Sequence, residues 1–551
     1  MSSTTTQWRK SIQILSKKYG LTLRADAAQF LKTLLAESEM DTDAELVAAI
    51  SAIAQAYLSH QGNTGSIVDA KALQSVVEAL RNAAKRDEDM REGEGEDADV
   101  DAAALKSVKE MKPHFHIIDL WKVAKWDFSM QEKAFLRSNE ALQLHATAAM
   151  QTHILSDRFN IIKQRIMRNE HFRPPTFATG NQTDYYEITP IKNLNGCKPG
   201  EYLLFGMLTQ MEEGKHHLED VGGFIELEFT GAVARTVGLF THNCFVLVEG
   251  EYTNRKTFSV SMMGMPPNET RAQTLSTFGY NADIFGAPRE VNTIAAIEKL
   301  EKEAVNVSIV VLSDVWLDDA KVIAKLRLLF EGYSSRGFIP LAFVFMGNFA
   351  SRSYIYNGAN YEEYKDLFKT LADLLHEFPT IYKVSRLIFV PGPQDPWGGA
   401  ILPRPAIPEV FLQRIRAKLP GVVFTSNPAR IKYCNQEIVL FREDLMSKMR
   451  RNCIIPPDEE QEAELKEHLA RTILQQVHLS PLPVDIQPRY AAFDHTLRLY
   501  PLPQLLVLAD KYDAYKVEYD GTQCMNPGSF GNQGTFVTYC PSDREIEMCS
   551  V

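Results

Sequence analysis

Four short segments carry oxygen-bearing side chains directly behind apolar runs: Ser313-Asp314-Val315-Trp316, Gly347-Asn348-Phe349, Gly392-Pro393-Gln394-Asp395 and Ala509-Asp510-Lys511-Tyr512. Carboxylates and amides are the ligands that hard divalent cations take, and two such cations roughly 3.5–4 Å apart around an activated water hydrolyse phosphate esters. The imidazoles that this chemistry also uses are missing, because none of the four segments contains a histidine. Gln394 cannot transfer a proton at neutral pH, and Pro393 beside it stiffens the loop and supplies no amide donor. Counting oxygens alone leaves a residual Mg²⁺ or Mn²⁺ site open. The residue types together point to a hydrolase-like site without its chemistry, so no catalytic residue, metal or cofactor is expected.

The elements that must position these segments are legible as buried strands. Apolar runs at 307–312, 341–346, 387–390 and 505–508 precede them, and function in such sheets gathers where strands end in loops. Residues 283–551 alternate such runs with helical stretches, as in a layered α/β domain. Trp316, Trp397, Tyr512 and Tyr515 concentrate aromatic surface at these loop ends. Trp316, directly behind a strand, is expected to fill the space vacated by metals, whereas Trp397 on its Pro-Gly-Gly loop suits a partner as well as packing. His468, His478 and His495 lie in no ligand-spaced pair and are expected to be packed residues.

Upstream, residues 181–282 change to short strands separated by turns, which suits a five-stranded barrel of the OB type, with Gly222 and Gly223 in a tight hairpin. This stretch is rich in Glu and short of Lys and Arg, so a structural or protein-binding barrel is favoured over a single-strand binder. Residues 114–180 read as a bridging helical segment. Residues 85–113 contain a run of Asp, Glu and Gly with almost no large apolar side chain, expected to be a flexible acidic linker. Residues 1–84 read as a small helical bundle, with Trp8, Ile12, Leu15 and Tyr19 on one helical face, Ala27, Phe30, Leu31 and Leu34 on a second, and Leu46, Ile50, Ile53 and Tyr57 on a third.

A chain of 551 residues implies several domains, and its 45% hydrophobic content is ordinary for a globular protein. No stretch approaches the roughly 18 apolar residues of a membrane span, and the first residues lack a signal-peptide core, so an intracellular protein without membrane contact is expected. The seven cysteines are odd in number and form no CxxC pair, which favours free thiols. A formal charge of −11 makes the whole chain a poor polyelectrolyte partner for DNA.

The four segments resemble the metal-binding loops of the calcineurin-like phosphoesterases, which read DxH, GDxxD, GNH(D/E) and GHxH. By that resemblance Trp316 stands for the first histidine and Asn348 for the bridging aspartate. Pro393 and Gln394 stand for the asparagine and catalytic histidine, and Asp510 with Tyr512 for the last two histidines. A denser resemblance runs from about residue 150 to the C-terminus, carried by segments 312–318, 390–396, 401–405, 441–446, 509–513 and 526–530, with a weaker echo in the first 85 residues. In these segments the chain resembles the B subunits of DNA polymerase epsilon. The resemblance implies a nuclear, non-catalytic scaffold: an AAA+ lid-like helical domain, an OB barrel and an inactive phosphoesterase domain. It implies binding to the C-terminal region of the polymerase catalytic subunit, contact of the N-terminal domain with the GINS part of the replicative helicase, histone-fold subunits in the same complex, and mainly indirect contact with DNA. The alternative is a metal-dependent phosphoesterase or nuclease acting on nucleic-acid ends.

Overall fold

The computed structural model describes residues 22–37, short stretches between 50 and 77, and residues 102–551 apart from 139–141, 174–184, 231–232, 280–283, 286–290, 336, 354–357, 397–398 and 458–462. The chain divides into two compact units, 1–98 and 99–551.

In the first unit the described residues include a helix, Ala25–Glu37, that buries Ala27 and Leu31. Thr22–Leu23 pairs in parallel with Ile67–Val68, a contact that an all-helical reading does not contain. Ile50, Ile53, Ala54, Leu73 and Val77 are also buried. The faces expected around Trp8 and Tyr19, the positions Leu46 and Tyr57, and the acidic run at 86–101 lie outside the described residues, so a helical bundle is not evident there.

The second unit is built in chain order as follows. Strand β1 (Phe115–Asp119) is followed by a hairpin, Trp126–Ser129 with Ala134–Arg137, and by helix α1 (Ala148–Ile166). Thr147 caps α1 through its side chain, which accepts from the Met150 amide. Then come β2 (Gly200–Thr209), β3 (His216–Asp220), β4 (Gly223–Glu228), β5 (Phe245–Tyr252) and β6 (Phe258–Gly264). These five close into a barrel in the order β5-β2-β3-β4-β6, with β6 returning to β5. The β3–β4 hairpin is tied by Asp220 Oδ1, which accepts from the Gly222 and Gly223 amides at 2.7 and 3.0 Å.

Two six-stranded sheets follow. The first contains β7 (Ile309–Ser313), β8 (Ala342–Met346), β9 (Arg386–Val390) and β10 (Val423–Phe424), all parallel. The second contains β11 (Ala429–Tyr433), β12 (Gln436–Arg442), β13 (Leu505–Ala509), β14 (Tyr515–Tyr519) and β15 (Thr522–Asn526). Strand β1 pairs with β11 as an edge strand of this second sheet, a role that the helical reading of 114–180 does not include. Strands β16 (Thr535–Cys540) and β17 (Glu545–Ser550) complete the first sheet beside β7.

Strand alternation explains how the layers join. On β12, Ile438 and Leu440 enter the core shared with the first sheet, while Val439 and Phe441 enter a second core; on β13, Leu505 and Val507 divide from Leu506 and Leu508 in the same way. The second core also receives Phe159, Ile161, Ile162 and Ile166 from α1 and Phe205, Met207, Phe245 and Leu247 from the outside of the barrel. The barrel interior is filled separately, by residues such as Leu204, Leu218, Val246 and Phe258. Barrel and sheets therefore form one packed body through α1. Among the described residues, no helix is long and apolar enough to cross a membrane.

Candidate functional site

Strands β7, β8, β9 and β13 end at the same pole of the two sheets, and the four expected segments meet there. Asp314 follows β7 with a φ of 55°, a left-handed conformation that Asp tolerates better than most residues. Its Oδ1 accepts from the Asn348 amide at 3.2 Å and from Asn348 Nδ2 at 3.4 Å. Asn348 Oδ1 in turn accepts from the Gln394 amide at 2.9 Å. Asp395 is saturated: Oδ1 accepts from the Phe349 amide at 2.8 Å and Tyr364 Oη at 3.2 Å, and Oδ2 from the Gly392 amide at 2.7 Å. Burial nevertheless raises its carboxyl to about 6. Asp510 accepts from the Met446 amide at 2.9 Å and the Tyr512 amide at 3.2 Å, and burial raises it to about 6 as well.

Glycines allow these loops to interleave. A Cβ on Gly347 would lie 1.9 Å from Asp395 Oδ2 and 2.4 Å from the Gly392 nitrogen. No side chain fits at that crossing.

The residue that organises the pole is Arg442, at the end of β12. Its Nη2 donates to Asp314 Oδ1 at 2.7 Å, Nη1 to Asp444 Oδ1 at 2.8 Å, and Nε to the Gly347 carbonyl at 2.8 Å. The guanidinium is 1% exposed, so this is a buried cation held by two carboxylates and a strand-end carbonyl. Burial alone would lower its pKa; Asp314 and Asp444 outweigh that and raise it. A neighbouring pair, Arg404 with Glu443, is also fully buried, and Lys448 joins Glu443 at 2.8 Å.

This arrangement does not fit a two-metal centre. Asp314 already neutralises a fixed organic cation, and every oxygen of Asp395 is engaged by protein donors. Among the described residues, no three His, Cys, Asp or Glu side chains are placed to hold a metal ion. Gln394 is exposed, Pro393 is half-buried beside it, and Tyr512 is 41% exposed. Trp316 packs on the backbone of Gly531, where a Cβ would come within 2.5 Å of the indole. Tyr515 is buried, and Trp397 lies outside the described residues. The three histidines lie within the body: His468 Nδ1 contacts Gly238, His478 lies 3.3 Å from Asp494, and His495 is buried.

Sequence reasoning brought together Asp314, Asn348, Gln394 and Asp395, and missed Arg442, Asp444 and Tyr364. The signal for Arg442 was present: it closes the apolar run Ile438–Phe441 as Asp314 and Asp510 close theirs, and a histidine-free group of acids at strand ends needs some cation.

Known proteins match the chain across both the barrel and the sheets. The family model for the B subunit of DNA polymerases alpha and epsilon matches residues 309–517. That of the DNA polymerase epsilon subunit 2-like OB-fold domain matches residues 148–267. The B subunit of DNA polymerase epsilon from Arabidopsis thaliana is 34% identical over all of both chains. DNA polymerase epsilon subunit 2 of Homo sapiens is 36% identical over 96% of each. Among solved structures, an archaeal phosphodiesterase aligns with 44% of this chain and 99% of its own at 9% identity, with a TM-score of 0.22, too loose a likeness to bear on fold or chemistry.

Proposed function

Since the chain belongs to the DNA polymerase epsilon B-subunit family, whose members are non-catalytic accessory subunits of a replicative polymerase, we propose that it acts as a two-sided scaffold in the nucleus. Residues 283–551, with the barrel packed against them, are a phosphoesterase-type domain that has given up hydrolysis and holds the C-terminal region of the polymerase catalytic subunit. Residues 1–84 are a separate N-terminal module that engages the GINS part of the replicative helicase, reached through the acidic linker. Histone-fold subunits share the complex, and contact with DNA is mainly indirect.

The observation that carries the non-catalytic reading is the Arg442 guanidinium between Asp314 and Asp444, in the position where a hydrolase would keep its cations. A buried pair of this kind is rigid, and a rigid, preorganised body loses little ordering entropy on association. The test is a binding experiment with two fragments. Residues 110–551 are expected to bind the catalytic subunit's C-terminal region as tightly as the full chain, and residues 1–85 to bind GINS alone. Loss of polymerase binding by a folded 110–551 fragment would overturn the two-sided arrangement.

A further inference from the structure

Arg158, on α1, is 5% exposed, and none of its three guanidinium nitrogens makes a hydrogen bond. The Phe245 ring lies 5.4 Å away, which attracts the cation but satisfies no N–H at full strength. A buried charge left in this state is strongly unfavourable unless something accepts its protons and offsets its charge.

The carboxylates of this seam leave Arg158 undercompensated, because Asp494, whose Oδ1 makes no hydrogen bond, serves both Arg158 and Arg489. Asp157 pairs with Arg498, Glu269 with Arg168 at 2.6 Å, and Asp494 with Arg489 at 2.8 Å. Asp494 is the carboxylate that acts most on Arg158, while Arg489 acts against it. His478 brings no compensating negative charge: its Nδ1 accepts from the Ser480 amide at 3.0 Å, so its proton sits on Nε2, toward Asp494. Water in this position would supply hydrogen-bond acceptors and leave the charge uncancelled. A divalent anion would overcompensate a single guanidinium.

We propose that Arg158 holds a small monovalent inorganic anion of the halide class, enclosed where α1, the start of β5 and the segment around Asp494 meet. The ion would clasp the barrel side of the body to the sheets, because Arg158 belongs to the helix that packs against both.

The test uses the full chain. Thermal unfolding is measured in sodium chloride and in sodium gluconate at equal ionic strength, for the natural protein and for Arg158→Met. The midpoint of the natural protein is expected to rise by a few degrees with chloride along a saturating, millimolar-range curve, and that of Arg158→Met to show no chloride-specific rise. Crystals grown in bromide are expected to show an anomalous peak at hydrogen-bond distance from the Arg158 guanidinium. Equal midpoints in the two salts, or ordered water without an anomalous peak, would overturn the proposal. If Arg158→Met does not fold, the salt comparison and the bromide peak on the natural protein still decide the matter.

Discussion

Arg442 and Asp314 form a 2.7 Å ion pair between the ends of β12 and β7, with side-chain exposures of 1% and 4%. The pair spans the two sheets and places a fixed organic cation against the Asp314 carboxylate. Its removal should be felt as loss of stability rather than loss of chemistry.

Arg442→Met leaves the buried Asp314 carboxylate without its cation, while the part-exposed Asp444 keeps Lys511 at 3.4 Å. Breaking a buried pair by removing one partner costs about 3–5 kcal/mol. Urea unfolding should show a loss of that size for Arg442→Met and for Asp314→Ala. The double variant should lose clearly less than the sum, because the second change removes a charge that the first left unpaired. Simple additivity would mean that the two residues are not energetically coupled.

Gly347→Ala should be more damaging than its single methyl suggests. The added Cβ would meet a carboxylate oxygen and a backbone nitrogen at 1.9 and 2.4 Å, and the carboxylate is held in place by the Phe349 and Gly392 amides and the Tyr364 hydroxyl. A loss of about 1–3 kcal/mol or more is expected. Gly421→Ala, where nothing lies within 4 Å, should stay within about 0.5 kcal/mol of the natural protein. Equal effects at the two positions would contradict the packing described for the loop crossing.

Stability should carry two opposed pH dependences. Burial raises Asp395 and Asp510 from 3.8 to about 6, so the folded state holds these protons more tightly than the unfolded chain, and stability falls as pH rises from about 4 to 6. Shifts of this size correspond to about 3 kcal/mol each. For Glu437 burial pushes upward, but Arg430 and Arg271 outweigh it and hold the carboxyl at about 2. That group stabilises the fold above pH 4.5 and loses its contribution as pH falls toward 2. Urea midpoints measured from pH 4 to 7 should decline less steeply in Asp395→Asn and Asp510→Asn than in the natural protein. An unchanged slope would show that these carboxyls titrate alike in both states.

Limited proteolysis should cut first between residues 86 and 101, releasing a fragment of about 85 residues from a resistant body. Uniform resistance across that stretch would show that the acidic run is ordered.

The fold was legible where local pattern and burial coincide. Ile309–Ser313 and Ala342–Met346 are buried on both faces, and such strands announce themselves as unbroken apolar runs. Phe115–Asp119 did not, because Phe115 alone is buried in this edge strand, and its pairing with β11 is a contact between distant parts of the chain. Arg442 escaped for a related reason: a charged residue at a strand end looks like a solvated boundary until the facing sheet supplies Asp314. The pairing is a fact of tertiary distance, 128 positions apart in the chain.

The most direct measurement of the central claim is hydrolysis of a chromogenic phosphodiester by purified protein in manganese, with Asp314→Ala and Asp395→Ala as controls. With Asp314 paired to Arg442 and Asp395 engaged by protein donors, the natural protein should release no more product than buffer and should not differ from either variant. Manganese-stimulated turnover by the natural protein that disappears in both variants would contradict the account and restore the pole of the sheets as an active site.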